Sequence, residues 1–341
     1  MTRACGEPIA MESALKAVQP SDENKRWRCR WVSEQDQDAL LSLFSSAFGA
    51  PMQPSLWAWK YAGLAKQGVL AHCAGKVIAY YGGIPRTFWL QDEKLAAVQI
   101  SDVMAVPEAC GSLTRRGPFA HTAEIFLQSQ IGPDKPYRFA FGFPTSRAAR
   151  LGEKLGLYAR GDAFFEAAWS MDTARRLPFW LKVQPLRSIV PAIIDGLWED
   201  MKSSLPDIML PQKDAEFFRW RYLEHPLNNY NLYLVSWRWI NKPAGIFVLR
   251  DHGISLGLEL MDFLGRPDAF NLMLQSAMYI TRQLNRHRVF SWMTPHIISM
   301  LPPPSAKAEI TGIYIDPPAL KEMDGQLYKR LWFLSGDTDF R

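Results

Sequence analysis

An order of elements written twice constrains this chain most. In the first half, alternating apolar residues mark a meander. Val69–Cys73 and Lys76–Leu90 are joined by a tight Ala74-Gly75 turn, and Leu95–Val106 follows the turn Gln91-Asp92-Glu93. A helix from Pro118 to Ile131 comes next, opened by a proline whose missing N–H costs nothing in the first turn, and then a short apolar strand, Tyr137–Phe141. The second half runs the same way: Leu232–Trp237, Ala244–Arg250 and Leu256–Leu264, then a long helix Asp268–Leu284 and a strand Val289–Met293. This order predicts an α/β (α+β) chain with a mixed, largely antiparallel sheet flanked by helices, present twice in tandem.

Smaller signals fill in the rest. Residues 26–32 alternate as a strand, Ser33 and Asp36 have capping-box spacing, and a helix runs on to about Phe48. Trp57, Trp59 and Tyr61 lie in a short aromatic helix, and Thr145–Leu155 is a helix stopped by Gly156. A strand pair through about Trp169 ends the first half. In the second half, Arg187–Leu205 and Asp214–Leu223 read as helices, and Ile310–Ile315 and Leu331–Ser335 as closing strands after the Pro302-Pro303-Pro304 break. A length of 341 residues suits two domains. The expected organisation is an unordered leader 1–25, a domain 26–177, a linker 178–190 and a second domain 191–341.

Composition narrows the functional classes. With 48% hydrophobic and 21% charged residues the chain is globular rather than disordered. A net charge of +5, spread over both halves without a basic tail, does not suggest nucleic acid as a partner. Four scattered cysteines form no metal-binding spacing, so they read as reduced thiols and predict a cytoplasmic, metal-free protein. No run of 18 apolar residues occurs, so no integral membrane segment is expected.

Residues 98–157 carry the chemistry. A strand leads into a loop ending Thr114-Arg115-Arg116-Gly117, and the Pro118 helix begins at once. Free N–H groups at a helix start face the positive end of its dipole and bind anions. Two arginines and a glycine beside them suit a pyrophosphate, although a solvated arginine pair fits as well. A second strand then ends at Gly142-Phe143-Pro144 and enters a helix capped by Thr145. Residues 115–160 hold eight basic side chains against three acidic ones.

These motifs resemble those of GNAT-type acyltransferases over residues 27–170. Thr114–Phe119 resembles that family's phosphate loop, Arg/Gln-x-x-Gly-x-Gly/Ala, and Gly142–Leu157 resembles its G-F-P-N…L-G-F/W segment. Residues 213–341 resemble the degenerate second half of tandem relatives, through Phe218-Arg219-Trp220-Arg221-Tyr222, His225-Pro226, Tyr230 and the closing Leu331–Asp339 stretch. The resemblance implies tandem GNAT-like folds that transfer an acyl group from acetyl-CoA or a longer acyl-CoA to an amine, by direct attack on the thioester. Arg115, Arg116, Gly117, Pro118 and Phe119 would then hold the pyrophosphate, with Pro118 giving no N–H. Val103, Met104, Ala105 and Val106 would pair their backbone with the pantetheine arm, and Thr145 and Ser146 would reach the same arm. Thr114 and Phe119 depart from the loop pattern. Gly152 stands where many relatives place a tyrosine acid, which leaves Tyr158, near in sequence, for that role.

An ammonium acceptor needs a base. Asp102, on the strand entering the loop, is the best-placed carboxylate, although a surface strand carboxylate is the favoured reading of it, and Glu108 is next; His121 reads as a packed or solvated helix histidine. The second half has only Gly265-Arg266-Pro267 where the first has its loop, leaving no room for a cofactor cradle. Its aromatics read mainly as packing, with some lining an acceptor cleft between the halves. Acceptors in reach are an amine-bearing small molecule, sugar or peptide. The alternatives are a FemAB-like transferase fed by aminoacyl-tRNA, or a non-catalytic binding or scaffold protein of the same fold.

Overall fold

A computed structural model describes residues 27–64, 66–106, 117–171, 176–318 and 330–340. The leader 1–25 lies outside them, as do Glu108, Arg115 and Arg116. In chain order the elements are β1 (Arg28–Trp31), α1 (Gln37–Phe48), α2 (Pro54–Tyr61), β2 (Gly68–Cys73), β3 (Lys76–Leu90), β4 (Glu93–Ile100), β5 (Met104–Ala105), α3 (Pro118–Gln130), β6 (Phe139–Gly142), α4 (Ser146–Leu155) and β7 (Ala159–Ser170). The second half adds β8 (Leu181–Pro185), α5 (Pro191–Ser204), β9 (Leu210–Pro211), α6 (Ala215–Phe218) with a π-helical turn Arg219–Leu223, β10 (Asn231–Trp237), β11 (Pro243–Asp251), β12 (Leu258–Gly265), α7 (Phe270–Gln283), β13 (Arg288–Met293), α8 (Pro295–Ser299) and β14 (Ala306–Ile315).

Local chemistry sets the expected turns. Ala74 and Gly75 both have positive φ, as do Gln91 and Asp92, which gives the tight reversals of the first meander. Ser33 and Asp36 form the capping box, with the Ser33 N–H donating to Asp36 Oδ2 at 2.8 Å. Gly156 ends α4 in the left-handed conformation.

One sheet joins the two halves, in the order β1-β2-β3-β4-β6-β14-β7-β13-β12-β11-β10-β8. Its pairs are antiparallel except β4 with β6 and β12 with β13. The chain therefore does not divide simply along its length. β14 follows the second half in sequence but sits between β6 and β7 of the first, and β7 reaches across to β13. The stretch 178–190, expected as a linker, contributes β8, the sheet's edge strand, because its alternating residues pair with β10. Leu331–Ser335 is not a strand. Leu331 and Leu334 make single bridges to Met209 and Met293, and a 3-10 turn, Ser335–Asp337, follows. No helix among the described residues is long and apolar enough to cross a membrane.

Candidate active site

The sheet is split at its centre. β4 and β6 pair only from Ala97–Gln99 to Phe139–Phe141. Past Ile100 the backbone turns sharply at Asp102, whose φ is +49°. It resumes as β5, which pairs with β3 alone, through Ala79 and Tyr80. β6 meanwhile ends at Gly142, and Pro144 follows. A wedge opens between the two strands, and the edge of Val103, Met104, Ala105 and Val106 away from β3 has no strand partner among the described residues. Backbone polar groups on such an edge need a partner, and a ligand can supply it.

Both faces of the wedge are packed. Tyr81, Val98, Phe119, Ala140 and Leu157 form a core under α3 and α4. Leu43, Trp57, Tyr61, Tyr80 and Met104 form another under α1 and α2. Met104 and Phe119 are thus buried, so only their backbones are free to meet a ligand. Gly117 is the N-cap of α3, no side chain among the described residues caps that end, and Pro118 takes the first helical position. Thr145 caps α4 by accepting the Ala148 N–H at 3.3 Å, with Ser146 as the first helical residue.

Asp102 is not a surface carboxylate. Its side chain is 10% exposed and is held by the Lys60 ammonium, 2.9 and 3.1 Å from its two oxygens, and by the Tyr61 hydroxyl at 2.7 Å. Lys60 also donates to Asp339 at 2.8 Å, and Asp339 accepts from Ser101 and, at 3.1 Å, from Gln99. Two carboxylates thus share one ammonium, leaving the cluster net negative. Burial raises the Asp102 pKa, because the Lys60 charge offsets only part of that cost. Asp339 is also buried, yet Lys60 and the Ser101 hydroxyl hold it below the ordinary range. Asp102 is therefore the readier proton acceptor of the two.

The polar chain continues into the second half. Arg86 donates to Gln99 and to Asp337, both at 3.3 Å, and Lys213 bridges Asp337 at 3.0 Å and Asp262 at 2.7 Å. Tyr222 closes it, donating to Asp262 at 2.9 Å. The C-terminal segment makes this continuity. β12 and β13 pair only at Leu258–Glu259 with Val289–Phe290. Beyond that pairing Leu334 bridges Met293, the Trp292 N–H donates to Ser335 Oγ at 2.8 Å, and Gly336 lies against the Met261 carbonyl. The second half's wedge is filled by the chain's own tail, which then carries Asp339 into the first.

Tyr158 stands beside the same region in an unexpected way. A Cβ on residue 152 would collide with the Tyr158 ring, so the phenol occupies the space that a side chain on α4 would take. Burial pushes its pKa up to about 12, against a smaller opposing effect of the Tyr81 hydroxyl, so it stays protonated. His121 packs edge-on against Trp27 at 5.6 Å, a core contact. Among the described residues no group of His, Cys, Asp and Glu is arranged to hold a metal.

Sequence reasoning brought Asp102, Val103–Val106, Gly117–Phe119, Thr145, Ser146 and Tyr158 to attention; it missed Lys60, Tyr61 and Asp339. One signal was available. Trp57-Ala58-Trp59-Lys60-Tyr61 and Phe218-Arg219-Trp220-Arg221-Tyr222 share an aromatic-x-Trp-basic-Tyr pattern. In both halves the tyrosine donates to an aspartate, Asp102 or Asp262.

No family model and no curated protein matches the sequence. Solved structures do match. A GCN5-related N-acetyltransferase from Anabaena variabilis ATCC 29413 superposes with a TM-score of 0.63 at 16% identity, over 85% of this chain and 72% of that one. A protein of unknown function from Enterococcus faecalis V583, titled a probable N-acyltransferase, gives 0.65 at 11% identity, over the same shares. An N-myristoyltransferase from Saccharomyces cerevisiae, with bound myristoyl-CoA, gives 0.52 at 11% identity, over 89% and 81%. The class of protein is thereby defined by its architecture: this chain has the GNAT fold, a mixed and largely antiparallel sheet flanked by helices.

Proposed function

We propose that this chain is an acyl-CoA-dependent N-acyltransferase whose working site is the wedge between β4 and β6. The observation that carries this reading is the Val103–Val106 edge, without a strand partner among the described residues, meeting a buried Lys60–Asp102–Asp339 cluster at the strand break. In this reading the edge hydrogen-bonds the pantetheine arm, and Thr145 and Ser146 flank it. The amides of Gly117 and Phe119, with Arg115 and Arg116 from the preceding loop and Pro118 fixing the turn, take the pyrophosphate. Asp102 removes a proton from the acceptor ammonium. The freed amine nitrogen bonds to the thioester carbonyl carbon, the C–S bond breaks as Tyr158 protonates the departing thiolate, and the resulting phenolate takes the second proton from nitrogen as the amide forms. Acetyl-CoA and longer acyl-CoAs are the donors, and the acceptor is an amine on a small molecule, sugar or peptide. The similar structures, a GCN5-related N-acetyltransferase and an N-myristoyltransferase, support acyl transfer as the class.

Calorimetry with acetyl-CoA and longer acyl-CoAs, on the wild type and Arg116→Glu, tests it. The reading expects binding by the wild type and a loss of at least tenfold in the variant. No binding of any coenzyme A ester to the wild type would overturn it.

A further inference from the structure

The far edge of the sheet carries an apolar patch that the acyl-transfer reading does not use. It lies at two neighbouring turns. Phe179 and Trp180 precede β8, and Trp239 and Ile240 form the tip of the β10–β11 hairpin. Phe179, Trp239 and Ile240 are 69%, 71% and 70% exposed, and Trp180 is 39% exposed. The rings are not splayed at random. Phe179 meets Trp180 at 5.1 Å and Trp239 at 5.6 Å, both edge to face.

The two turns are locked into one unit. The Arg238 backbone N–H donates to the Trp180 carbonyl at 2.7 Å, and its guanidinium donates to the carbonyls of Phe179 at 2.8 Å and Leu181 at 3.1 Å. Leu181, just behind, is fully buried in the second half's core and anchors the turn. The aromatic cluster is therefore held outward by built contacts, and single exposed apolar residues on a surface do not need such support.

The charges around it have one sign. Residues 176–187 and 231–243, which build the patch and its strands, contain Arg176, Lys182, Arg187, Arg238 and Lys242 and no acidic residue. In the turn after β12, Asp268 is 3.6 Å from Arg266. Lys182, the second residue of β8, and Lys242, in the β10–β11 turn, stand next to the exposed rings, whereas Arg187 follows the other end of β8.

We infer that this unit is a membrane-docking tip, which seats Phe179, Trp180, Trp239 and Ile240 in the interface of an anionic lipid bilayer while Lys182 and Lys242 meet the lipid phosphates. Indole rings with an apolar body and an N–H suit the headgroup boundary. Basic side chains beside them draw the tip to an anionic leaflet, each adding roughly a fivefold gain in affinity. Insertion of apolar side chains together with such charges is what holds a peripheral protein without a spanning helix. The edge strand β8 ends at Pro185, whose lack of an N–H opposes extension of the sheet by a partner strand. This docking does not depend on the acyl-transfer chemistry.

The test is co-sedimentation of the full chain with vesicles of phosphatidylcholine alone and of phosphatidylcholine with phosphatidylglycerol. Binding is expected only to the anionic vesicles and should weaken as salt is raised. The exposed-side-chain variant Phe179→Ala/Trp239→Ala/Ile240→Ala should lose at least tenfold in partitioning, and Lys182→Glu/Lys242→Glu a similar factor, with unchanged thermal unfolding in both. Absence of binding to anionic vesicles would overturn the inference, as would binding that both variants retain. Light scattering gives an independent reading. A concentration-dependent dimer in the wild type that the triple variant abolishes would assign the patch to contact between copies of the chain and equally overturn it.

Discussion

Trp59 and Trp220 stack face to face, 4.5 Å apart and 5° from parallel, and each donates its indole N–H to the other's backbone carbonyl, at 2.9 and 3.2 Å. They stand 161 residues apart, one from α2 and one from the π-helical turn after α6. An exchange of identical bonds between equivalent residues is what a local two-fold axis produces. It brings Lys60 and Tyr61 to Asp102 on one side and Tyr222 to Asp262 on the other.

The pair should be strongly coupled. Two reciprocal hydrogen bonds and a stacked contact vanish together when either ring is removed, so the second truncation has little left to break. Trp59→Ala, Trp220→Ala and the double variant, compared by urea unfolding, should give a coupling energy of about 1–3 kcal/mol. Additive losses would show that the stack contributes no more than its buried area.

As the proposed base, Asp102 should set a pH dependence with a definite sign. Its pKa is raised by burial, so proton acceptance by Asp102 fails when the pH falls below a value above the ordinary carboxylate range. Asp339 adds to that rise, because its negative charge disfavours a second one nearby. Asp339→Asn removes that repulsion, and the acid limb of kcat/KM should move to lower pH. Asp102→Asn should lower kcat by about 10²–10⁴ with coenzyme A affinity intact. An unmoved limb in Asp339→Asn would mean that the limb reports another group.

The strands of both meanders, except that Leu95–Val106 breaks at Asp102 into β4 and β5, and the caps around them were legible because each rests on local pattern: alternation, Ala74-Gly75, Ser33 with Asp36, Thr145 with Gly156. What the chain does over long range was not. The pattern in Ile310–Ile315 marks a closing strand but does not say that it returns to the first half. Lys60 on an aromatic helix reads as a solvated charge until Asp339 is placed beside it, 279 residues away. The apolar run Leu331–Ser335 looks like a strand, yet it fills the gap between β12 and β13 with single bridges. Asp102 was found by its position next to the loop, but its burial came from α2 and the tail, which no spacing in its own segment records.

Lys213 lies wholly inside the molecule, between Asp262 and Asp337, which are themselves fully buried. Removing Lys213 strands Asp262 without a counter-charge and leaves Asp337 with Arg86 alone. Lys213→Met should cost about 3–5 kcal/mol of stability. Changing Asp262 as well, in Lys213→Met/Asp262→Leu, relieves one stranded charge and should recover part of the loss in urea unfolding. A double variant no better than Lys213→Met would place the cost in packing instead.

Gly152 and Tyr158 give a test whose sign reverses. In the interior of an exposed helix, alanine is worth about 1 kcal/mol more than glycine. Here a Cβ on residue 152 runs into the Tyr158 ring, and overpacking costs about 1–3 kcal/mol. Gly152→Ala should therefore destabilise the wild type and stabilise the Tyr158→Ala background, by thermal or urea unfolding. The same ring bears the proposed acid. Tyr158→Phe keeps its shape and loses only the hydroxyl, so it should leave stability nearly unchanged while slowing thiolate departure. The fall in kcat should be largest at high pH, where solvent supplies fewer protons. A Tyr158→Phe enzyme with the wild-type pH profile would remove Tyr158 from the reaction and leave it as the side chain that makes Gly152 necessary.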